Sequence, residues 1–285
     1  MNLNNTSKKT LLISGCSYGL AFSNIEDSLK KLFEVDHIVN LSQKGSSLDR
    51  CIRVVIEWIA QNNTPYMVIL PVTHSNRFDL PIAKDFDPLH NLHYRCSWHN
   101  SGITKEIYEK FINPLIPYES LQNFMKHGVM IHQIEHPSQD YNFVKLLTFQ
   151  AFLQINGIHH LIYDSGNYYQ KVWMKHISID LENNSGYQPG MKKRDLIKNC
   201  KGIYNLFDFC ANAWMYDTME ESQKKELVEW SSKRKIKYPL LDNDDDYCIK
   251  ASIHHSPEDT LRLMQFLKEQ NAVLYIDKMV KDANI

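Results

Sequence analysis

Short apolar segments alternate with amphipathic ones over the first 80 residues, and this alternation constrains the fold more than any other feature. Residues 67–72 are nearly all apolar, as expected of a strand that is buried on both faces of a sheet. Strands separated by helices of this length form right-handed βαβ units, so the sequence predicts a parallel sheet. We expect strands at 11–14, 35–41 and 67–72, and helices at 24–33 and 48–61.

The remainder of the chain is less regular. Residues 80–104 are rich in His, Asn, Asp and aromatic side chains without clear periodicity, which is typical of a long surface loop or lid. We expect one α/β domain over residues 1–285, in which residues 80–135 form a loop and helical insertion. The later pattern predicts a strand at 158–164 and helices at 103–112, 118–136, 141–155, 220–231 and 257–271.

Composition and charge exclude several classes of protein. The net charge is −1, so we expect no nucleic-acid partner and no anionic membrane partner. No apolar run approaches the roughly 20 residues of a membrane span, and the run at 11–13 is shorter than the about 7–15 residues of a secretory signal. The six cysteines form no C-x-x-C pair and are expected to be reduced thiols of a cytoplasmic protein.

A candidate nucleophile follows the first predicted strand. Residues 15–19 read Gly-Cys-Ser-Tyr-Gly, which matches G-x-S-x-G in a chain with only 10 glycines. A serine on a strand-to-helix turn has its Oγ raised out of the sheet, beside backbone N–H groups that can hold an oxyanion. The pattern therefore predicts Ser17 as a nucleophile. The alternative is a tight turn whose small residues serve packing alone.

A serine nucleophile requires a base, and the histidine pair before the last predicted helix is a candidate. His254 and His255 precede Ser256 and Pro257, which are typical of the N-cap and first position of a helix. A histidine there would lie at the edge of the sheet where the strands also end. We expect His255 or His254 to be the base; the alternative is a capping or surface histidine.

Polar residues after the second and third strands complete the predicted site. The carboxyl ends of parallel strands meet at one edge, so donors from these loops can converge on Ser17. Each of them has an alternative role as a turn or ion-pair residue. We expect an oxyanion hole from Ser17, Gly45, Asn76 and Thr73, and substrate contacts from Arg77 and Tyr18.

One further group of residues has the composition of a metal site. His90, His93, Cys96 and His99 recur every three residues, but this spacing fits no familiar zinc site. The acidic run at 242–246 lacks the glycine and the terminal Glu of a calcium loop. We therefore expect no metal and no cofactor.

Taken together, these segments resemble the SGNH (GDSL-like) hydrolase family. In that family a serine in a Gly-Asp-Ser-like motif follows the first strand, a glycine the second and an asparagine the third, and a D-x-x-H motif precedes the last helix. The corresponding segments here are 15–18, 40–45, 71–77 and 252–255. The resemblance covers about residues 9–80 and 155–270. It implies a flavodoxin-like three-layer sandwich with a central parallel sheet.

This sequence departs from the family pattern at three positions. Its first motif is a Gly-Cys-Ser variant, Thr73 stands where the oxyanion asparagine would fall, and Ser252 stands where the aspartate would fall. Asn76 would then supply the amide donor. Some members of the family work as a Ser–His dyad in which a backbone carbonyl orients the imidazole.

The resulting hypothesis is a serine esterase that uses Ser17 and His255 to remove a short acyl group, such as O-acetyl, from a glycan or small ester. One alternative is an O-acyltransferase that passes the acyl group to a sugar hydroxyl, if the insertion excludes water. Another is a non-catalytic binding module on the same fold. The oligomeric state stays open.

Overall fold

A five-stranded, all-parallel sheet forms the centre of the protein. The computed structural model describes residues 8–44, 46–72, 78–80, 94–96, 119, 137–165, 203–204, 209–234 and 255–276. The strands are β1 (Thr10–Ile13), β2 (His37–Asn40), β3 (Met67–Val72), β4 (Phe78–Leu80), β5 (Tyr94–Cys96), β6 (His159–Asp164) and β7 (Ile203–Tyr204). The sheet has the order β2-β1-β3-β6-β7, which is the flavodoxin-like order for five parallel strands.

Seven α-helices are found in the part of the chain that the structure describes. They are α1 (Ser17–Leu20), α2 (Glu26–Phe33), α3 (Leu48–Gln61), α4 (Pro137–Ile155), α5 (Ala211–Asp217), α6 (Glu221–Arg234) and α7 (Pro257–Glu269). A 3-10 turn over Ala21–Asn24 joins α1 to α2.

Side chains that alternate along the strands enter two separate cores. Leu11, Ile69 and Tyr163 point to one face of the sheet, where they pack with residues of α2, α5 and α7. Leu12 and Leu70 point to the other face and pack with residues of α3 and α4. Helices on both faces of a parallel sheet make a three-layer sandwich, so the predicted fold class is confirmed.

The predicted bounds of α3 and β3 agree with the structure at both ends. At the start of α3, the Ser47 side chain accepts a hydrogen bond from the Arg50 N–H at 3.1 Å. Ser256 caps α7 in the same way, with the Asp259 N–H at 3.1 Å, and Pro257 takes the first helical turn.

Two expectations need correction. Residues 94–96, within the segment expected to be a loop, form β5, which pairs antiparallel with β4. Strand β4, strand β7 and helix α5 were not predicted at all. These elements have seven residues or fewer, so each presents too few apolar repeats to establish a period in the sequence. Most of the expected insertion at 80–135 lies outside the described residues.

The structure bears on three of the bulk expectations. Cys16, Cys51 and Cys210 are buried and form no disulfide. Of the helices described here, none is both long enough and apolar enough to cross a bilayer. Within the described ranges, no three His, Cys, Asp or Glu side chains gather into a possible metal site.

The chain after α7 is anchored at the opposite end of the sheet from the strand carboxyl ends. Leu274 forms an antiparallel bridge with His160 at the start of β6. The Ile276 N–H donates to Nδ1 of His159 at 2.5 Å. His160 itself is fully buried, and its Nδ1 lies 3.0 Å from the carbonyl oxygen of Ile158.

We predict that His160 makes stability fall in acid. Burial lowers the pKa of His160 below the ordinary value of 6.5, so below that pH the unfolded chain binds a proton that the folded chain does not. The free energy of unfolding should therefore decrease as pH falls, by up to about 2 kcal/mol between about pH 7.5 and about pH 5. Urea unfolding of the wild type and of His160→Gln measures this difference.

The matched control for this experiment is His37→Gln, which changes an exposed histidine on β2. We expect His160→Gln to flatten the pH dependence of unfolding and His37→Gln to leave it close to that of the wild type. Equal slopes for the wild type and His160→Gln would contradict the prediction.

Candidate functional site

The turn between β1 and α1 carries Ser17 and is anchored to two other elements. The Ser14 N–H donates to the Ile69 carbonyl oxygen of β3 at 3.0 Å. The Ser14 hydroxyl donates to the Cys51 carbonyl oxygen of α3 at 2.7 Å. Ser17 is half-buried and is the first residue of α1. The strand-to-helix turn expected for Ser17 is therefore present at the carboxyl end of β1.

Both glycines of the motif lie where the chain approaches other segments closely. A Cβ on Gly15 would lie 2.7 Å from Cγ of Pro71 at the end of β3. A Cβ on Gly19 would overlap the side chain of Ser42, in the loop after β2. The G-x-S-x-G spacing thus lets α1 rest against the ends of the two strands that flank β1.

The Asn40 side chain fixes α1 against the end of β2. Its Nδ2 donates to the Gly19 carbonyl oxygen at 2.9 Å and to the Ser23 hydroxyl at 3.0 Å. Its Oδ1 accepts the Ser42 N–H at 3.0 Å. One amide therefore holds both the helix that begins at Ser17 and the loop that leads toward residue 45.

A network of three side chains joins α1, α5 and the residue before Ser256. Nδ2 of Asn212 donates to the Tyr18 hydroxyl at 3.0 Å, and Oδ1 of Asn212 lies 2.7 Å from Nε2 of His255. The rings of Tyr18 and His255 are in tilted contact, with centroids 5.4 Å apart. Tyr18 and Asn212 are buried, whereas His255 is half-buried. An imidazole from late in the chain thus contacts the residue that follows Ser17.

The orientation of the Asn212 amide determines which nitrogen of His255 carries the proton. A carbonyl oxygen only accepts hydrogen bonds, so the oxygen facing Nε2 requires Nε2–H. In the neutral ring, Nδ1 is then the nitrogen that can accept a proton.

Ser17 itself is bonded within its own turn. Its hydroxyl donates to the sulfur of Cys16 at 3.9 Å. Across the described part of the chain, no hydrogen bond joins Ser17 to His255. Tyr18 therefore provides the contact between the serine turn and the histidine.

Several predicted site residues cannot be compared with the structure. They lie outside the described residues and are His254, Gly45, Thr73, Asn76 and Arg77. In the proposed metal-like series, Cys96 falls in β5 and the other members lie outside the described residues.

Two buried polar residues, each on a different element, were not among the predicted site residues. Asn212 lies in α5, and the signal was a lone amide within the otherwise apolar run Cys-Ala-Asn-Ala-Trp-Met. Asp164 ends β6, opposite Val72, and is buried although it is a carboxylic acid. A charged residue is rarely buried at the end of an apolar strand without a specific role, so its position alone was informative.

The comparisons with known proteins assign no family to the chain. No family model matches it. The Homeobox-leucine zipper protein TF1 of Oryza sativa subsp. japonica is 37% identical over 67 residues, which make up 22% of this chain and 9% of that protein. The chain thus spans less than a tenth of the length of this curated relative.

We predict that Gly19 is required by the proximity of Ser42. Gly19→Ala should lower the free energy of unfolding by about 1–3 kcal/mol, because the added methyl overlaps the Ser42 side chain. The Ser42→Gly background removes this overlap, and the Ser42 hydroxyl oxygen is buried without a hydrogen-bond partner among the described residues.

A double-mutant cycle by urea unfolding separates this clash from a general effect of alanine. In the Ser42→Gly background the penalty of Gly19→Ala should shrink by at least about 0.5 kcal/mol. Additive effects of the two substitutions would show that the close approach does not govern the choice of glycine.

Proposed function

We propose that this protein is a serine esterase of the SGNH (GDSL-like) type that removes a short acyl group, such as O-acetyl, from a glycan or small ester. The observation that carries the proposal is the Asn212-held imidazole of His255 in contact with Tyr18, next to Ser17. The base candidate, from late in the chain, thereby contacts the residue that follows the nucleophile candidate, at the carboxyl end of β1. The carboxyl ends of the strands are where open α/β sheets bind their ligands.

In the proposed reaction the Ser17 hydroxyl attacks the ester carbonyl while His255 accepts the serine proton at Nδ1. The N–H groups of Ser17 and Gly45, with Asn76 and Thr73, stabilise the oxyanion. Collapse of the tetrahedral intermediate expels the alcohol, which takes the proton from His255. Water then attacks the acyl-serine with His255 again as base, and acid and free serine result.

The bond between Ser17 and Cys16 is compatible with this chemistry. A thiol sulfur is a weak acceptor, and the O···S distance is 3.9 Å. Rotation about the Cα–Cβ bond of Ser17 would therefore break this bond at little energetic cost. Tyr18 and Arg77 are the proposed substrate contacts.

The proposed setting is the cytoplasm, with a small-molecule or glycan ester as partner and with no nucleic acid or membrane. Cys16, Cys51 and Cys210 are buried and form no disulfide, which suits a reducing compartment. The net charge of −1 provides no electrostatic attraction for a polyanion.

A non-catalytic binding module is the second candidate. The observation that favours it is the Ser17 hydroxyl, which is bonded to Cys16 rather than to an imidazole among the described residues. An O-acyltransferase would share the acyl-serine intermediate and differ only in the acceptor.

The test of the nucleophile is Ser17→Ala, with Ser28→Ala on α2 as the matched control. We expect Ser17→Ala to lower turnover of p-nitrophenyl acetate by at least about 10³-fold and to abolish labelling by a fluorophosphonate, because both need the hydroxyl. Ser28→Ala should retain both signals. Circular dichroism and thermal unfolding establish that each variant is folded.

The outcomes separate the three candidates. Full turnover by folded Ser17→Ala contradicts the proposed mechanism. A wild-type protein that neither turns over the ester nor takes the label favours the binding module. Acylated sugar among the products, formed only when a carbohydrate acceptor is present, favours the acyltransferase.

A further inference from the structure

We infer that Asn212 is a positioning residue for the base: its carboxamide orients the His255 ring and keeps the proton on Nε2, so that Nδ1 is the nitrogen that accepts the serine proton. This inference rests on the proposed function, and it assigns a role to a residue that the sequence pattern did not indicate. It also identifies which imidazole nitrogen does the proton transfer.

Packing in the hydrophobic core fixes the position of Asn212 in the fold. Its neighbours Ala211 and Met215 belong to the same buried cluster as Leu263 and Met264 of α7. The residue itself has no exposed surface. Because α5 and α7 share one core, the amide and the histidine just before α7 are held in fixed relation.

Asn212 uses both ends of its amide on partners from different elements. Nδ2 donates to the Tyr18 hydroxyl at 3.0 Å, while Oδ1 faces Nε2 of His255 at 2.7 Å. Each bond limits rotation of the amide about its last side-chain torsion. In a buried environment such bonds have little competition from water, so they define the ring orientation well.

The chemistry of a carboxamide suits this role. Its oxygen accepts the Nε2–H bond and, being neutral, stabilises the imidazolium less than a carboxylate would. An amide would thus leave His255 a weaker base than an aspartate in the same place. The sequence is consistent with an orienting group other than the family's aspartate, because Ser252 stands where the resembled family has that aspartate. The orienting group would then come from α5.

A purely structural role is the competing explanation, in which Asn212 only ties α5 to α1. Two variants distinguish the roles. Asn212→Leu is similar in size and makes no hydrogen bonds, whereas Asn212→Asp keeps an acceptor for Nε2–H and can accept the Tyr18 hydroxyl. Met215→Leu, a swap of similar volume one turn away on α5, is the matched control.

The first measurement is made without substrate. In ¹⁵N-imidazole NMR spectra, the wild type should show a slowly exchanging Nε2–H resonance of His255, identified by its loss in His255→Gln. The resonance should persist in Ser17→Ala, Met215→Leu and Asn212→Asp and disappear in Asn212→Leu. If Asn212 only tied α5 to α1, the Nε2–H resonance of His255 would remain in every variant that is folded.

The second measurement is turnover of p-nitrophenyl acetate as a function of pH. Asn212→Leu should lower kcat by about 10²-fold with little change in KM, and Asn212→Asp should stay within about tenfold of the wild type. The carboxylate that Asn212→Asp introduces would also move the acidic limb of the profile to higher pH, because it stabilises the imidazolium. On α1, α5 and the first turn of α7, the other titratable side chains are Tyr18, Tyr216, Asp217, Glu258 and Asp259, and all variants retain them.

The NMR spectra and the turnover measurements test this inference separately from the proposed function. Full turnover by Ser17→Ala removes the proposed function, whatever the NMR spectra show. A wild-type His255 that carries its proton on Nδ1 overturns the inference about Asn212. So does a folded Asn212→Leu variant that retains the Nε2–H resonance or wild-type kcat.

Discussion

Helices cover both faces of β1 and β3, and the rest of the structure depends on this burial. From Leu11 to Ile13 and from Met67 to Val72 every side chain is buried and apolar, and all of them except Pro71 belong to one of two cores. Such strands cannot carry reactive groups along their length, because an unpaired polar side chain there would be costly. Polar side chains are instead found at the carboxyl ends of strands or just beyond them, as are Ser17, Asn40 and Asp164.

The site region is assembled by close backbone approach rather than by long side chains. Gly15 lies against Pro71 and Gly19 against Ser42, so α1 begins in contact with the end of β3 and with the loop after β2. This places Tyr18 where it meets His255, although the two residues lie near opposite ends of the chain. The burial of Asn212 between them removes competition from water and makes the geometry of this small network specific.

Much of the fold follows from the sequence, whereas the network does not. β3 and α3 were predicted with their full bounds, because a continuous apolar run and a clear helical period identify them. The contact of Tyr18 with His255 was not specified, since sequence reasoning placed both residues only at a common edge. Asn212 was not predicted as a site residue because α5 is short and because a hydrogen bond between distant residues leaves no local sequence pattern. Ser17 was singled out by its motif, and its bond to Cys16 depends on a rotamer that no pattern encodes.

The position of His255 immediately before α7 has an evolutionary consequence. The position of the His255 ring depends on α7. Leu263 and Leu267 on the apolar face of this helix belong to the core that also contains residues of α2 and α5. Drift in the packing of that core is therefore transmitted to the imidazole, even when it occurs far from the sheet edge. Substitutions that repack this core are therefore expected to shift the His255 imidazole as well.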